Sequence, residues 1–313
     1  MVIIKKFFKF LFLLIISIVI GVGLAFSGYI GLSVYNGFTN AYSREDTKKN
    51  FKEIEVEYNI FKSFYDIEEF IIPSTHEGHE IPAIYIKGDD NKNIAVMVHG
   101  MGGTKETLIS PASVLLELGY DVIAIDQRNS GDNMAPLNTF GVLESYDILD
   151  AVNYARNIAK DNKILLWGES YGGASAAIVL GRDESNIDYL ILDCPISDGR
   201  EFLEEQLEEI EAEQRIPTSY MMFVGNLYTK YKMKFDFEDF DAAKWLETTS
   251  TPTLIFNSKA DTVTPEYMGQ NLYDAIPHDQ KELVTSTSSP HVEIHVLERD
   301  LYKDSIAKFL SKY

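Results

Sequence analysis

Between residues 93 and 258, five short apolar runs recur: "NIAVMVHG", "YDVIAIDQ", "KILLWGES", "YLILDCP" and "TPTLIFNS". Helix-competent segments, at 105–118, 143–159 and 171–180, separate the earlier runs, and another, at 266–275, follows the last. Strands that are apolar along their whole length, joined through helices, can satisfy both faces only in a mostly parallel sheet covered on each side. Upstream, "EEFIIPS" and "IPAIYIKG" flank the polar "THEGHE" and predict an antiparallel pair at one edge. Downstream, "KELVT" predicts a last strand ahead of a final helix. The alternation breaks at about 197–250. There a glutamate-rich segment with apolar Phe202, Leu203, Leu207 and Ile210 on one helical face precedes the Met- and aromatic-rich "SYMMFVGNLYTKYKMKF". These residues predict a helical cap inserted before the strand at 253–258, and one domain accounts for 66–313.

The amino terminus obeys a different rule. Lys5, Lys6 and Lys9 precede a stretch from Phe10 to Leu32 without a charged residue, long enough to cross a bilayer core of about 30 Å as a helix. "AFS" at 25–27 could serve as a signal-peptidase site. The apolar character continues through "GYIGLSVYNGF", however, which favours an uncleaved single-pass anchor over 10–32. The lysines put residues 1–9 in the cytoplasm and the remainder outside the cell membrane. Residues 33–65 are expected to form a linker and a membrane-proximal helix.

Gly168-Glu169-Ser170-Tyr171-Gly172 stands where an apolar strand gives way to a small-residue helix. This is G-x-S-x-G in a strand–turn–helix setting, the arrangement that lifts a serine hydroxyl above a sheet as a nucleophile. A serine needs a base, and the base an orienting acid. Of six histidines, His291 lies in a Ser/Pro loop after the last predicted strand, and it is favoured over His295, which is closer to the final helix. Asp261, in the loop after "TPTLIFNS", is favoured as the acid over Asp193 at the end of "YLILD". The chain order Ser170, Asp261, His291 suits this elbow type. Two oxyanion donors are expected, the N–H of Tyr171 beside the serine and that of Met101 in the glycine-rich "HGMGG". That loop lacks the G-K-[ST] continuation of a phosphate-binding loop.

Composition narrows the partners. With 28 Lys and Arg against 48 Asp and Glu, the formal net charge of -20 argues against nucleic acid or anionic lipid as a partner for the bulk of the chain. Cys194, the single cysteine, cannot form an intrachain disulfide, and its apolar surroundings mark a small buried side chain. The histidines and glutamates of "THEGHE" sit on a short turn and are not expected to bind a metal, and no cofactor motif is present.

Taken together, "VHGMGG", "GYDVIAIDQRNSGDN", "GESYGG", "DTVTP" and "SPHVEIHVLERDLYKDSIAKFL" resemble the α/β-hydrolase superfamily over about residues 66–313. The resemblance is to membrane-anchored bacterial serine hydrolases near the serine-aminopeptidase-like and acyl-thioesterase-like branch. In that branch the closing histidine is followed by a Tyr at plus eleven and a Phe-Leu pair, which matches His291, Tyr302, Phe309 and Leu310. One loop departs: Asn129 and Asn133 stand where Gly and Ser are usual. The resemblance implies an eight-stranded, mostly parallel sheet. It also implies a serine hydrolase acting on a small-molecule acyl ester, lipid-derived esters included, through Ser170, His291 and Asp261. Peptidase, aminopeptidase-like or acyl-transfer chemistry with the same residues is the alternative, followed by a non-catalytic surface scaffold.

Overall fold

The computed structural model describes residues 2–88 and 93–313. They fall into two compact units: residues up to Thr39 together with Arg200–Glu238, and Asn40–Gly199 together with Asp239–Tyr313.

The larger unit is built on one eight-stranded sheet. In chain order its strands are β1 (Asp66–Pro73), β2 (Glu80–Lys87), β3 (Asn93–Val98), β4 (Tyr120–Ile125), β5 (Ile164–Glu169), β6 (Tyr189–Asp193), β7 (Thr253–Ser258) and β8 (Lys281–Ser286). They lie side by side in the order β1-β2-β4-β3-β5-β6-β7-β8. β1 pairs antiparallel with β2, and β2 with β4, while every pairing from β4 to β8 is parallel. β4 and β7 are buried at every residue, as full apolar runs require, whereas β1 is largely exposed. Glu68 and Glu69 on that edge discourage pairing with another chain.

Helices α2 (Arg44–Lys62), α3 (Ile109–Glu117), α4 (Glu144–Ile158), α5 (Ser170–Arg182), α8 (Ala242–Leu246), α9 (Glu266–Ala275), α10 (Ile294–Leu297) and α11 (Arg299–Lys312) complete this unit. Trp167, Phe256, Tyr302 and Phe309 are fully buried in the core, and the indole N–H of Trp167 donates to the Tyr302 hydroxyl at 2.8 Å. Burying each such aromatic contributes on the order of 2–3 kcal/mol. Strand order decides where chemistry can happen. From β3 the chain turns toward the β1 edge, and from β5 it turns toward β8. A crevice therefore opens outside the carboxyl ends of β3 and β5, the place where open α/β sheets bind ligands.

The smaller unit consists of α1 (Val2–Thr39), α6 (Gly199–Gln214) and α7 (Thr218–Met233), apart from Gly199 itself. The uncharged run 10–32 lies inside α1, which continues without a break to Thr39, and a separate helix, α2, occupies most of the remaining stretch to 65. Apolar side chains around α1, among them Phe8, Leu13, Ile18 and Val22, are exposed, and its most apolar window has a mean hydropathy of 2.7. By length and composition this helix is a candidate membrane span. Its carboxyl-terminal turns pack on α7 through small residues: a Cβ on Gly31 would lie 2.7 Å from the Val224 carbonyl, and one on Gly225 would lie 2.5 Å from Val34. A cavity of about 310 Å³ lined by Ile30, Val34, Leu207 and Met221 separates α1 from α6.

Gly31→Leu is therefore expected to force α1 and α7 apart at a cost of about 1–3 kcal/mol. Proteolysis of the full chain in detergent micelles checks this: cleavage within α7 should accelerate, and cleavage at the wild-type rate would show that the close approach does not matter.

Candidate active site

The turn between β5 and α5 is sterically forced. Ser170 has φ of +51°, a left-handed conformation that costs a side-chain-bearing residue on the order of 1–3 kcal/mol. A Cβ on Gly168 would strike the Gly172 carbonyl, and one on Gly172 would strike the carbonyls of Val98 and His99. Glycine at 168 and 172 is thus what allows the chain to reverse so tightly, and Gly173 gives α5 its close approach to Pro195. The turn presents Ser170 at the carboxyl end of β5, with 8% of its surface exposed.

The structure brings together three residues that are far apart in the chain. His291 Nε2 lies 2.9 Å from Ser170 Oγ, and His291 Nδ1 lies 2.7 Å from Asp261 Oδ2. Asp261 also accepts from the amides of Val263 and Thr264 and from the Thr264 hydroxyl. Burial opposes its ionisation, but the hydrogen bonds from His291 and Thr264 outweigh that and hold the carboxyl below its ordinary value of 3.8. The loop that carries His291 is pinned at its base, where the Ser258 hydroxyl donates to the Ser289 carbonyl and the Ser289 hydroxyl to Glu298. Asp193 is fully buried. Desolvation pushes it up to about 6. His295 lies elsewhere, beside Ser110, with burial holding it near 4 and therefore neutral.

The glycine-rich turn after β3 adjoins the serine. A Cβ on Gly100 would lie 3.3 Å from Ser170 Cβ, so this backbone is in van der Waals contact with the elbow. His99 fixes it from beneath: Nδ1–H donates to the Gly100 carbonyl at 2.7 Å, and Nε2 accepts from the Gln127 amide. Burial lowers His99 to about 4, keeping it neutral as that pairing requires. Met101 is the exposed residue of the turn, and the amide of Tyr171, second in α5, has no helical acceptor. The Tyr171 hydroxyl is tied to Glu144, which stiffens the start of α5.

Two supports were not apparent from sequence. α2 holds two turns, with Asn50 Nδ2 donating to the Gly102 carbonyl in the turn after β3 at 2.9 Å and the Gly131 amide donating to Thr47 Oγ1 at 2.9 Å. The unusual "DQRNSGDN" loop is rigidly held: Asp126 accepts from Lys105 Nζ at 2.8 Å, and Asn133 Nδ2 donates to the Asp126 carbonyl. Asn129 has φ of +54° and donates to the Tyr42 carbonyl. Asparagine tolerates that conformation better than any other non-glycine residue type apart from Asp and His, which explains how it stands where glycine is usual.

Donor atoms of Cys194, Asp261 and His291 all lie within 4.8 Å of one another. Burial raises the Cys194 thiol far above its ordinary range, so it stays protonated and a poor metal ligand. Asp261 and His291 are meanwhile bonded to each other. The histidines of "THEGHE" go separate ways, His79 to Asp147 at 2.8 Å and His76 onto the Tyr146 ring.

A family profile described as alpha/beta hydrolase fold matches residues 95–228, which include β3, the elbow and α5. Over those residues the chain is similar to the α/β-hydrolase superfamily, and its sheet and helices have the α/β-hydrolase fold. An esterase from Pyrococcus furiosus, Pf2001, superposes with a TM-score of 0.63 at 18% identity, covering 80% of this chain and 94% of its own. The uncharacterized protein YqkD of Bacillus subtilis is 24% identical over 95% of this chain and 94% of its own length. A putative chloroplastic methylesterase 14 of Arabidopsis thaliana is 31% identical over 46% of this chain and 42% of its own.

Glu169, between Gly168 and Ser170, is half-buried and pushed up to about 8 by desolvation, although it accepts from the Gly100 amide at 3.1 Å. Its folded value lies above its ordinary 4.5, so the folded chain holds the extra proton between those limits. Stability should accordingly fall as pH rises from about 4.5 to about 8. Glu169→Gln is expected to flatten that slope in thermal unfolding measured across the range; an unchanged slope would place the responsible group elsewhere.

Proposed function

We propose that this hydrolase cleaves carboxylic esters by a serine acyl-enzyme route. Ser170 Oγ attacks the carbonyl carbon while His291 Nε2 takes its proton. Asp261 holds the Nδ1–H and stabilises the imidazolium. The negative charge that develops on the carbonyl oxygen is received by the amides of Tyr171 and Met101. Collapse of the tetrahedral adduct breaks the ester C–O bond, His291 returns the proton to the departing alcohol, and a water molecule activated by His291 releases the acid. The observation that carries this reading is the hydrogen-bonded chain from Ser170 through His291 to Asp261, at 2.9 and 2.7 Å. The neutral Glu169 beside the serine also favours it, because it adds no negative charge next to the developing oxyanion below about pH 8.

We further read α1 as an uncleaved anchor with its lysines in the cytoplasm and the sheet unit outside the cell. The uncharged run after Lys9 supports an anchor, and the position of Lys5, Lys6 and Lys9 ahead of it supports the orientation. An enzyme fixed at a membrane meets lipid-derived esters at high local concentration.

A fluorophosphonate probe should label the wild-type chain covalently and leave Ser170→Ala unlabelled. Hydrolysis of p-nitrophenyl acyl esters should fall on the order of 10⁴-fold in Asp261→Asn. Equal labelling of wild type and Ser170→Ala would end this reading, and aminoacyl anilides cleaved in preference to esters would replace it with a peptidase.

A further inference from the structure

One face of α7 is apolar and exposed. Phe223, Leu227 and Tyr231, spaced by four, are 68%, 61% and 72% exposed and form a continuous apolar stripe. The opposite face, with Met221, Val224 and Gly225, is buried.

The contacts of α7 with α1 fix its level along that helix. Tyr220 stacks on Phe26 and bonds Ser27 Oγ at 2.8 Å; Val224 meets Gly31; Tyr228 packs on Tyr35; and the Tyr35 hydroxyl reaches Met233 Sδ at 3.4 Å. The two helices therefore run in the same direction. Counting about 20 residues of span from Lys9 puts the edge of the hydrocarbon near Tyr29, which is itself 66% exposed. Phe223 is then level with that edge, and Leu227 and Tyr231 are level with the headgroup layer. Tyrosines at 29, 35, 220, 228 and 231 cluster at this depth, as expected where protein crosses a membrane–water boundary.

Charge points the same way. From Gln214 to Phe235 there is no carboxylate, while Arg215, Lys230, Lys232 and Lys234 are all cationic, in a chain whose net charge is -20. Lys230 pairs with Asp236, and Lys232 and Lys234 are exposed beyond the apolar stripe. An apolar stripe with cations beyond it on one side matches acyl chains overlaid by anionic phosphates.

We propose that α7 is a second membrane element: Phe223, Leu227 and Tyr231 sit in the interface of an anionic bilayer beside α1, with Lys232 and Lys234 against headgroup phosphates. This rests on reading α1 as a membrane span. It revises the expectation that acidic composition keeps the chain off anionic lipid, which holds for the bulk of the sequence and fails for this one helix.

The test uses the full chain in nanodiscs of phosphatidylcholine with phosphatidylglycerol. A spin label is carried by one introduced cysteine at a time: Leu14→Cys, Phe223→Cys, Leu227→Cys or Glu208→Cys. Cys194 is buried and should not compete for the label. Collision with oxygen, which concentrates in lipid, is compared with collision with an aqueous nickel chelate. The oxygen-to-nickel ratio at 223 should rise toward the value at 14, the ratio at 227 should be intermediate, and that at 208, on the glutamate-rich face of α6, should remain aqueous. With phosphatidylcholine alone, the ratio at 227 should drop. A lipid-like value at 14 with aqueous values at 223 and 227 overturns the proposal while leaving the anchor intact, as does shielding of 223 from both reagents, which would mean a protein partner. An aqueous value at 14 removes the anchor and the proposal together. An unchanged ratio at 227 without phosphatidylglycerol overturns the role given to the lysines.

Discussion

A serine backbone held at φ of +51° is the constraint on which the remainder of this site depends. Left to itself that residue would relax into the helix or the strand it joins. It stays because β5 and α5 are both buried, and because the glycines at 168 and 172 remove the side chains that would otherwise fill the turn. Packing energy from the sheet thus maintains a local conformation that is unfavourable by itself. What is gained is position: the hydroxyl stands at the end of a rigid strand, at the point where the chain changes direction across the sheet, and the glycine-rich turn after β3 lies against it.

Around that serine, polar groups are arranged so that each has one available role. His99 is kept neutral and its two nitrogens are both engaged, so it can hold the turn but cannot compete as a base. His295 is likewise neutral and turned toward Ser110. Asp193 is fully buried and desolvation raises it to about 6, whereas at Asp261 the hydrogen bonds from His291 and Thr264 outweigh burial and lower the carboxyl. Environment thus shifts the two carboxyls apart and leaves Asp261 the stronger acid of the pair.

Much of this could be read from the chain. Full apolar runs such as "IAVMV" and "YLILD" are distinctive of buried parallel strands, and G-x-S-x-G carries its own steric reason. The loop position of His291 after the last strand, rather than the helix-proximal position of His295, also follows from where a base must reach. Less visible was α2. Its charged, weakly periodic sequence reads as a membrane-proximal helix without a part in the site, yet Thr47 and Asn50 hold two turns of the site through single bonds to backbone atoms. Hydrophobic periodicity cannot register such contacts, because one side chain bonded to a distant peptide group leaves no local pattern. The interval 197–250 was recognised as helical, but the packing of α7 against α1 depends on the small size of Gly31 and Gly225, and glycine in an apolar run does not announce a helix partner.

In the proposed mechanism Asp261 orients His291 so that its other nitrogen can take the proton of Ser170. Proton NMR of the full chain in detergent micelles tests this most directly, because an Nδ1–H held by a carboxylate at 2.7 Å resonates far downfield of ordinary amide and imidazole protons. One such resonance is expected, absent in His291→Ala and in Asp261→Asn and retained in His295→Ala. Its absence from the wild-type chain, or its survival in Asp261→Asn, would contradict the account.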